Sequence, residues 1–255
     1  MRGSVTARRQ RWRGLTPLPV HPRGWWFDLV LLGAFVALTV ALARGHLRAF
    51  DQGVADWMDA HRPTPLHWTA RVLNYLGNGG QVLMPITIIL AVAVAWRRRS
   101  VRPFLVFVAV FVLTYLTIGP LKIWSDRAAP RFVPANRTEL FNDLASGRYA
   151  QSYPSGHVVN ALLWYAAIAL LAGALMRALD RPPLPPAVLI AIRVLPAAIV
   201  FCTTTYLSWH WITDSVAGLL LGLVLVRLLA RIPFDDLPLP RLRNGWDSTA
   251  GLTTP

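Results

Sequence analysis

Pro154-Ser155-Gly156-His157 stands at the head of one apolar run, and His210-Trp211-Ile212-Thr213-Asp214 at the head of another. Outward from these two words the chain divides into six apolar stretches: 25–43, 81–96, 103–121, 157–176, 187–207 and 211–230. A bilayer crossing takes ~20 apolar residues, so the pattern predicts an all-α bundle of six transmembrane helices. The composition agrees: 55% of the 255 residues are apolar, 11 are Trp, and only 15% are charged.

The net charge of +14 argues for membrane topology rather than nucleic acid. Its arginines do not line one amphipathic face. They sit in short runs between apolar stretches, as in Arg8-Arg9-Gln10-Arg11 and Arg97-Arg98-Arg99, where they set orientation and meet anionic lipid. With the N-terminus inside, the inner segments hold 16 of the 26 cations, and the two long outer loops hold nine with six of the twelve acids. The positive-inside rule then puts both termini in the cytoplasm.

Ala41-Leu42-Ala43 resembles a signal cleavage site, but the core before it is bilayer-length, so the first run reads as an uncleaved anchor. The lone Cys202 lies inside an apolar run, which leaves no disulfide framework. Three parts follow: a basic cytoplasmic segment 1–24, a six-helix membrane domain 25–232, and a cytoplasmic Pro-rich tail 233–255, expected to be short and poorly ordered. An arginine-rich multi-pass chain of this kind fits a bacterial inner membrane.

The topology brings the two words together. His157 and His210 are 53 residues apart, enough for two spans and a short inner turn, so both fall at the outer face. Lys122, the sole lysine, arrives there at the end of the third span. Pro154 and Ser155 suit a helix start, whose free N–H groups form an anion site. Gly156 allows a phosphate close to the backbone, and His157 beside it could protonate a leaving alkoxide. The plainer alternative is an ordinary helix cap with an interfacial His.

His210 and Asp214, spaced i, i+4, share a helix face. The carboxylate would fix the imidazole tautomer and free the other nitrogen to attack phosphorus. Otherwise His210 is a surface residue near a helix start, although an acid one turn into an apolar span is costly without a function. Lys122 holds phosphate as a point charge or snorkels to the interface.

Taken together, these words resemble the type-2 phosphatidic acid phosphatase superfamily, with its K-x6-R-P, P-S-G-H and S-R-x5-H-x3-D pattern. The resemblance covers 121–222 and implies a six-helix membrane bundle with an outward-facing site, no metal and no cofactor. Carried over by position, Lys122, Ser155 and Gly156 bind phosphate, His157 is the acid, His210 the nucleophile and Asp214 its orienting partner.

Two positions depart from the pattern. Ala129 stands where the family has Arg before Pro130, and Thr204 where it has Arg six residues before His210. Each missing donor is worth ~2.7–4 kcal/mol of transition-state stabilisation, so replacements are expected in the outer loop. Arg127 is the first candidate and Arg131 the second, with Arg137 and Arg148 further along. The hydroxyls of Thr203, Thr204 and Thr205 either bond phosphate or pack between helices.

The resemblance implies a lipid phosphatase acting on a polyprenyl phosphate or diphosphate, phosphatidic acid or phosphatidylglycerophosphate. Its partners are then membrane lipids and a lipid phosphate substrate. A lipid phosphotransferase and a non-catalytic lipid-binding descendant are the alternatives.

Overall fold

The computed structural model describes residues 22, 24–132, 136–142, 150–240, 242 and 245–252; most of the basic leader, and Arg148, lie outside them. Helix α1, Trp26–Ala43, is the first span. Two shorter helices follow at the end of the bundle reached by α1, α2 over Arg48–Ala60 and α3 over Thr64–Asn74. The second span starts as a π turn, Gly79–Leu83, capped by the Asn78 side chain, and continues as α4, Met84–Arg98. The remaining spans are α5 (Arg102–Ser125), α6 (Gly156–Ala178), α7 (Pro186–Tyr206) and α8 (Ile212–Ala230). All six are long and apolar enough to cross a membrane, and the described fold is a multi-pass helical bundle.

Helix α6 is the hub, packed against α4, α5, α7 and α8. It and α8 bury 56% of their apolar windows, against 22–33% for the other four spans, whose outer faces are left for lipid. Without a hydrophobic drive between helices in lipid, close backbone packing holds such a pair together. Gly218 and Gly222 provide it on α8. A Cβ on Gly218 would stand 2.7 Å from the Ser155 carbonyl oxygen, and one on Gly222 2.5 Å from Leu162 Cδ1. This crossing fixes the start of α6 against the start of α8, the two ends that carry the sequence motifs.

The opposite end of the bundle is tied by charge. Asp28 on α1 accepts from Arg227 Nε at 2.7 Å and Arg231 Nη2 at 2.5 Å. The expectation of a poorly ordered tail is corrected here. The chain after α8 folds back beneath the bundle, with Phe234, Ala250 and Leu252 buried. Asp235 accepts from the N–H groups of Ala250 (2.8 Å) and Leu252 (2.5 Å). Arg177 Nη2 donates to the Gly251 carbonyl at 2.6 Å, and Arg102 Nη1 to that of Phe234 at 2.7 Å. The tail has no hydrophobic periodicity, yet single apolar plugs and backbone acceptors anchor it.

Candidate active site

A cavity of about 600 Å³ opens at the end of the bundle where α5 stops and α6 and α8 begin. Its walls include Lys122, Ala129, Arg131, Ser152, Gly156, His157, Asn160, Trp209 and His210. The structure therefore gathers Lys122, Gly156, His157 and His210 around one space, as their spacing predicts.

Helix α6 starts one residue after Ser155, its N-cap, so the first-turn N–H groups of Gly156 and His157 have no acceptor one turn back. A Cβ on Gly156 would stand 3.4 Å from Lys122 Cε, so the lysine stem lies against the helix start. Lys122 Nζ donates to the Gln151 carbonyl and lies 3.5 Å from that of Ser152. The imidazoles of His157 and His210 meet edge to face, with centroids 5.7 Å and planes 67° apart, and Trp209 packs 5.8 Å from His157.

Ser155 caps the start of α6. Its N–H donates to the Asp214 carbonyl at 3.0 Å, and its buried hydroxyl has no hydrogen-bond partner among the described residues. It joins the two helix starts.

The contact between His210 and Asp214 also differs from a direct pair. His210 Nδ1 and Asp214 Oδ2 are 3.6 Å apart, beyond hydrogen-bond reach. The Ser152 hydroxyl bridges them, 3.1 Å from the imidazole nitrogen and 2.5 Å from the carboxylate. Asp214 Oδ2 also accepts from the Trp211 N–H at 3.0 Å, the reach-back of a third helical residue to its N-cap. Burial pushes the His210 imidazole below its ordinary pKa of 6.5, against the pull of Asp214.

Arg127, the first candidate for the missing charge, does not face the cavity. It is fully buried behind the site. Its Nη1 donates to Asp214 Oδ1 at 2.5 Å and to Thr213 Oγ1 at 2.8 Å, and its Nη2 donates to Asp51 Oδ2 at 2.6 Å. Burial opposes its charge, but Asp214 and Asp51 on either side hold the guanidinium above its ordinary pKa. Asp126 is the reason: it caps α5 in the left-handed region (φ 37°) and turns the next side chain toward α8. Asp51, on α2, completes this network through Thr213, whose N–H donates to it at 3.2 Å and whose hydroxyl donates at 2.6 Å.

Thr204 is likewise corrected. It is buried outside the cavity wall, its hydroxyl unpartnered among the described residues, while its carbonyl accepts from the Trp209 N–H at 3.1 Å. Thr203 and Thr205 pack between helices, bonded to Asn74 and Ser215. Arg137 donates to the Pro130 carbonyl at 3.0 Å. Arg131, the second candidate, does reach the cavity wall, beside Ala129.

Sequence reasoning missed Asp51 and Ser152. An apolar stripe at Phe50, Val54, Trp57 and Met58 would have revealed α2, with Asp51 next to that stripe. Nothing in the sequence singles out Ser152.

Comparison with known proteins agrees with this architecture. Residues 103–237 match the PAP2 superfamily model. Phosphatidylglycerophosphatase B of Bacillus subtilis (strain 168) is 26% identical over 195 residues, 76% of this chain and 89% of that protein. The crystal structure of a transmembrane PAP2-type phosphatidylglycerolphosphate phosphatase from Bacillus subtilis shares the fold, with a TM-score of 0.65 at 22% identity, over 80% of this chain and 94% of that one. With the matched segment running from α5 through α8 and holding every cavity-lining motif residue, the chain belongs to the PAP2 superfamily.

Proposed function

We propose that this membrane protein hydrolyses a lipid phosphate ester or diphosphate through a phosphohistidine on His210, at the extracytoplasmic face of a bacterial inner membrane. The observation that carries the proposal is the pair of imidazoles set 5.7 Å apart across a cavity that Lys122 also lines. In the first step a phosphoryl group sits between Lys122, the N–H groups of Gly156 and His157, and Arg131. His210 Nδ1 faces Ser152, which leaves Nε2 with the lone pair. Nε2 forms the bond to phosphorus as the ester P–O bond breaks, and protonated His157 gives its proton to the departing lipid oxygen.

In the second step His157, now neutral, takes a proton from water. The hydroxide oxygen bonds to phosphorus, the P–N bond breaks, and phosphate leaves. Both histidines return to their starting states. The lipid enters from the outer leaflet, with its tails outside the bundle. The arginine bias toward the opposite end supports this orientation.

Phosphatidylglycerophosphate, named in the relatives, heads the substrate panel, followed by phosphatidic acid and a polyprenyl diphosphate. Release of inorganic phosphate from one of these by the purified protein, lost in His210→Ala, is the test. Ala129 in the cavity wall keeps a second reading open, because it leaves room beside Lys122 where an acceptor hydroxyl could replace water. A new phospholipid product in place of free phosphate would make the protein a phosphotransferase.

A further inference from the structure

The cleft between His210 and Asp214 is filled by a hydroxyl whose backbone is fixed from two sides. The Ser152 N–H donates to the Arg127 carbonyl at 2.8 Å. Its carbonyl faces Lys122 Nζ at 3.5 Å. The same Arg127 whose backbone holds Ser152 uses its guanidinium to hold Asp214 Oδ1. One residue thus sets both the bridging serine and the carboxylate end of the gap. Ser152, Asp214 and His210 are all buried, so bulk water does not compete for the contact.

We infer that Ser152 is a positioning residue that relays Asp214 to the nucleophile: its oxygen accepts the His210 Nδ1–H while its O–H donates to Asp214 Oδ2. The inference rests on the phosphohistidine reading of His210. A hydroxyl can serve both roles at once because it carries one donor and two acceptor sites. The short contact to the carboxylate assigns its proton to Asp214, leaving the lone pairs to the imidazole.

Two consequences follow. The Nδ1–H tautomer is held, so Nε2 faces the cavity as the attacking atom. As phosphorus bonds to Nε2 the ring becomes cationic, and the hydrogen-bonded chain through Ser152 lets the Asp214 carboxylate stabilise that charge. The Ser152 hydroxyl is committed to His210 and Asp214, so its effect passes through His210.

The test uses full-length protein in detergent micelles and measures phosphate release from phosphatidylglycerophosphate, phosphatidic acid and a polyprenyl diphosphate across pH. Ser152→Ala is expected to lower kcat roughly 10–10²-fold, the scale for a hydrogen bond to a charged group, with KM little changed. The acid limb of kcat/KM should move to lower pH, because the imidazolium loses its support. Ser152→Thr restores the hydroxyl and most of the turnover, whereas the similarly sized Ser152→Val does not. A purely structural role would make Thr and Val equally harmful, with parallel losses of folded protein, and that result overturns the inference. So does wild-type kcat with an unmoved pH profile in Ser152→Ala. If the wild type releases phosphate from none of the three probes, the phosphatase reading itself fails and takes the relay with it.

Discussion

Helix α8 carries an ion cluster near each end, and the two are opposites in charge. At its start one arginine, Arg127, sits between two carboxylates, Asp51 and Asp214. At its end one carboxylate, Asp28, sits between two arginines, Arg227 and Arg231. Both arrangements suit the helix macrodipole, which favours acids near the N-terminus and cations near the C-terminus. Both tie the helix to another part of the chain, α2 at one end and α1 at the other. Among the described residues, the first adjoins the site cavity and His210, whereas the second bonds no histidine. A buried charge cluster is therefore not in itself a sign of chemistry, because it becomes one only where it orients a group that can reach substrate.

The largest expected effect breaks this contrast at its reactive point. His210→Ala should lower phosphate release by at least roughly 10⁴-fold, the scale for removing a member of a concerted catalytic group, while thermal unfolding stays near wild type. The wild-type pH profile adds a second reading. Because burial lowers the pKa of His210, the imidazole stays neutral, and nucleophilic, to below its ordinary 6.5. The acid limb of kcat/KM should accordingly lie below pH 6.5, with activity falling only as pH drops through that lowered value. An acid limb well above 6.5 would show that the Asp214 relay outweighs burial.

Next in size is Arg127→Ala. It leaves Asp51 and Asp214 buried with no cation between them, an expected cost of about 3–5 kcal/mol in unfolding free energy. Turnover should collapse alongside stability, and Arg127→Lys should not rescue it, since a point charge cannot span the two carboxylates. A folded, normally stable Arg127→Ala protein with a raised KM would instead make Arg127 a phosphate ligand and erase the distinction between buttress and site.

The sequence carries the bundle and half of the site because both rest on local signals. A run of about 20 apolar residues announces a span whatever surrounds it. A Pro-Ser-Gly-His word marks a helix start, and an i, i+4 pair marks a shared face. The destination of Arg127 rests on a different kind of fact. Its offset of five from Lys122 fixes how far along the chain it lies, but the left-handed turn at Asp126 decides which way it points. Asp51 and Ser152 are further removed still: one comes from a loop helix 76 positions from Arg127, the other meets His210 across 58 positions. Only folding brings such partners together.

A smaller effect belongs to Arg131. As an exposed cation on the cavity wall it should attract the phosphate. Arg131→Ala is expected to lower kcat/KM by about three- to tenfold, given how weakly solvent-exposed charges act, with unchanged thermal stability. Ala129→Arg, which restores a guanidinium to the neighbouring wall, should recover the loss in the same assay. If Arg131→Ala is silent, Lys122 and the helix N–H groups hold the phosphate alone.

The smallest effect on catalysis is expected at the other end of α8. Asp28→Asn removes the charge between Arg227 and Arg231 but keeps an acceptor oxygen, and Arg231 retains its contact with the Gly24 carbonyl at 2.8 Å. Both arginines also rest on aromatic faces, Arg227 5.0 Å from the Phe27 ring centre and Arg231 3.8 Å from that of Trp25. Those contacts do not need the carboxylate, so the cluster should loosen rather than come apart. The melting temperature is expected to fall by about 2–4 °C, while kcat, KM and the pH profile match the wild type. A change in the pH profile of Asp28→Asn would mean that α8 transmits charge or strain along its length to Asp214, and the two ends could no longer be treated as independent.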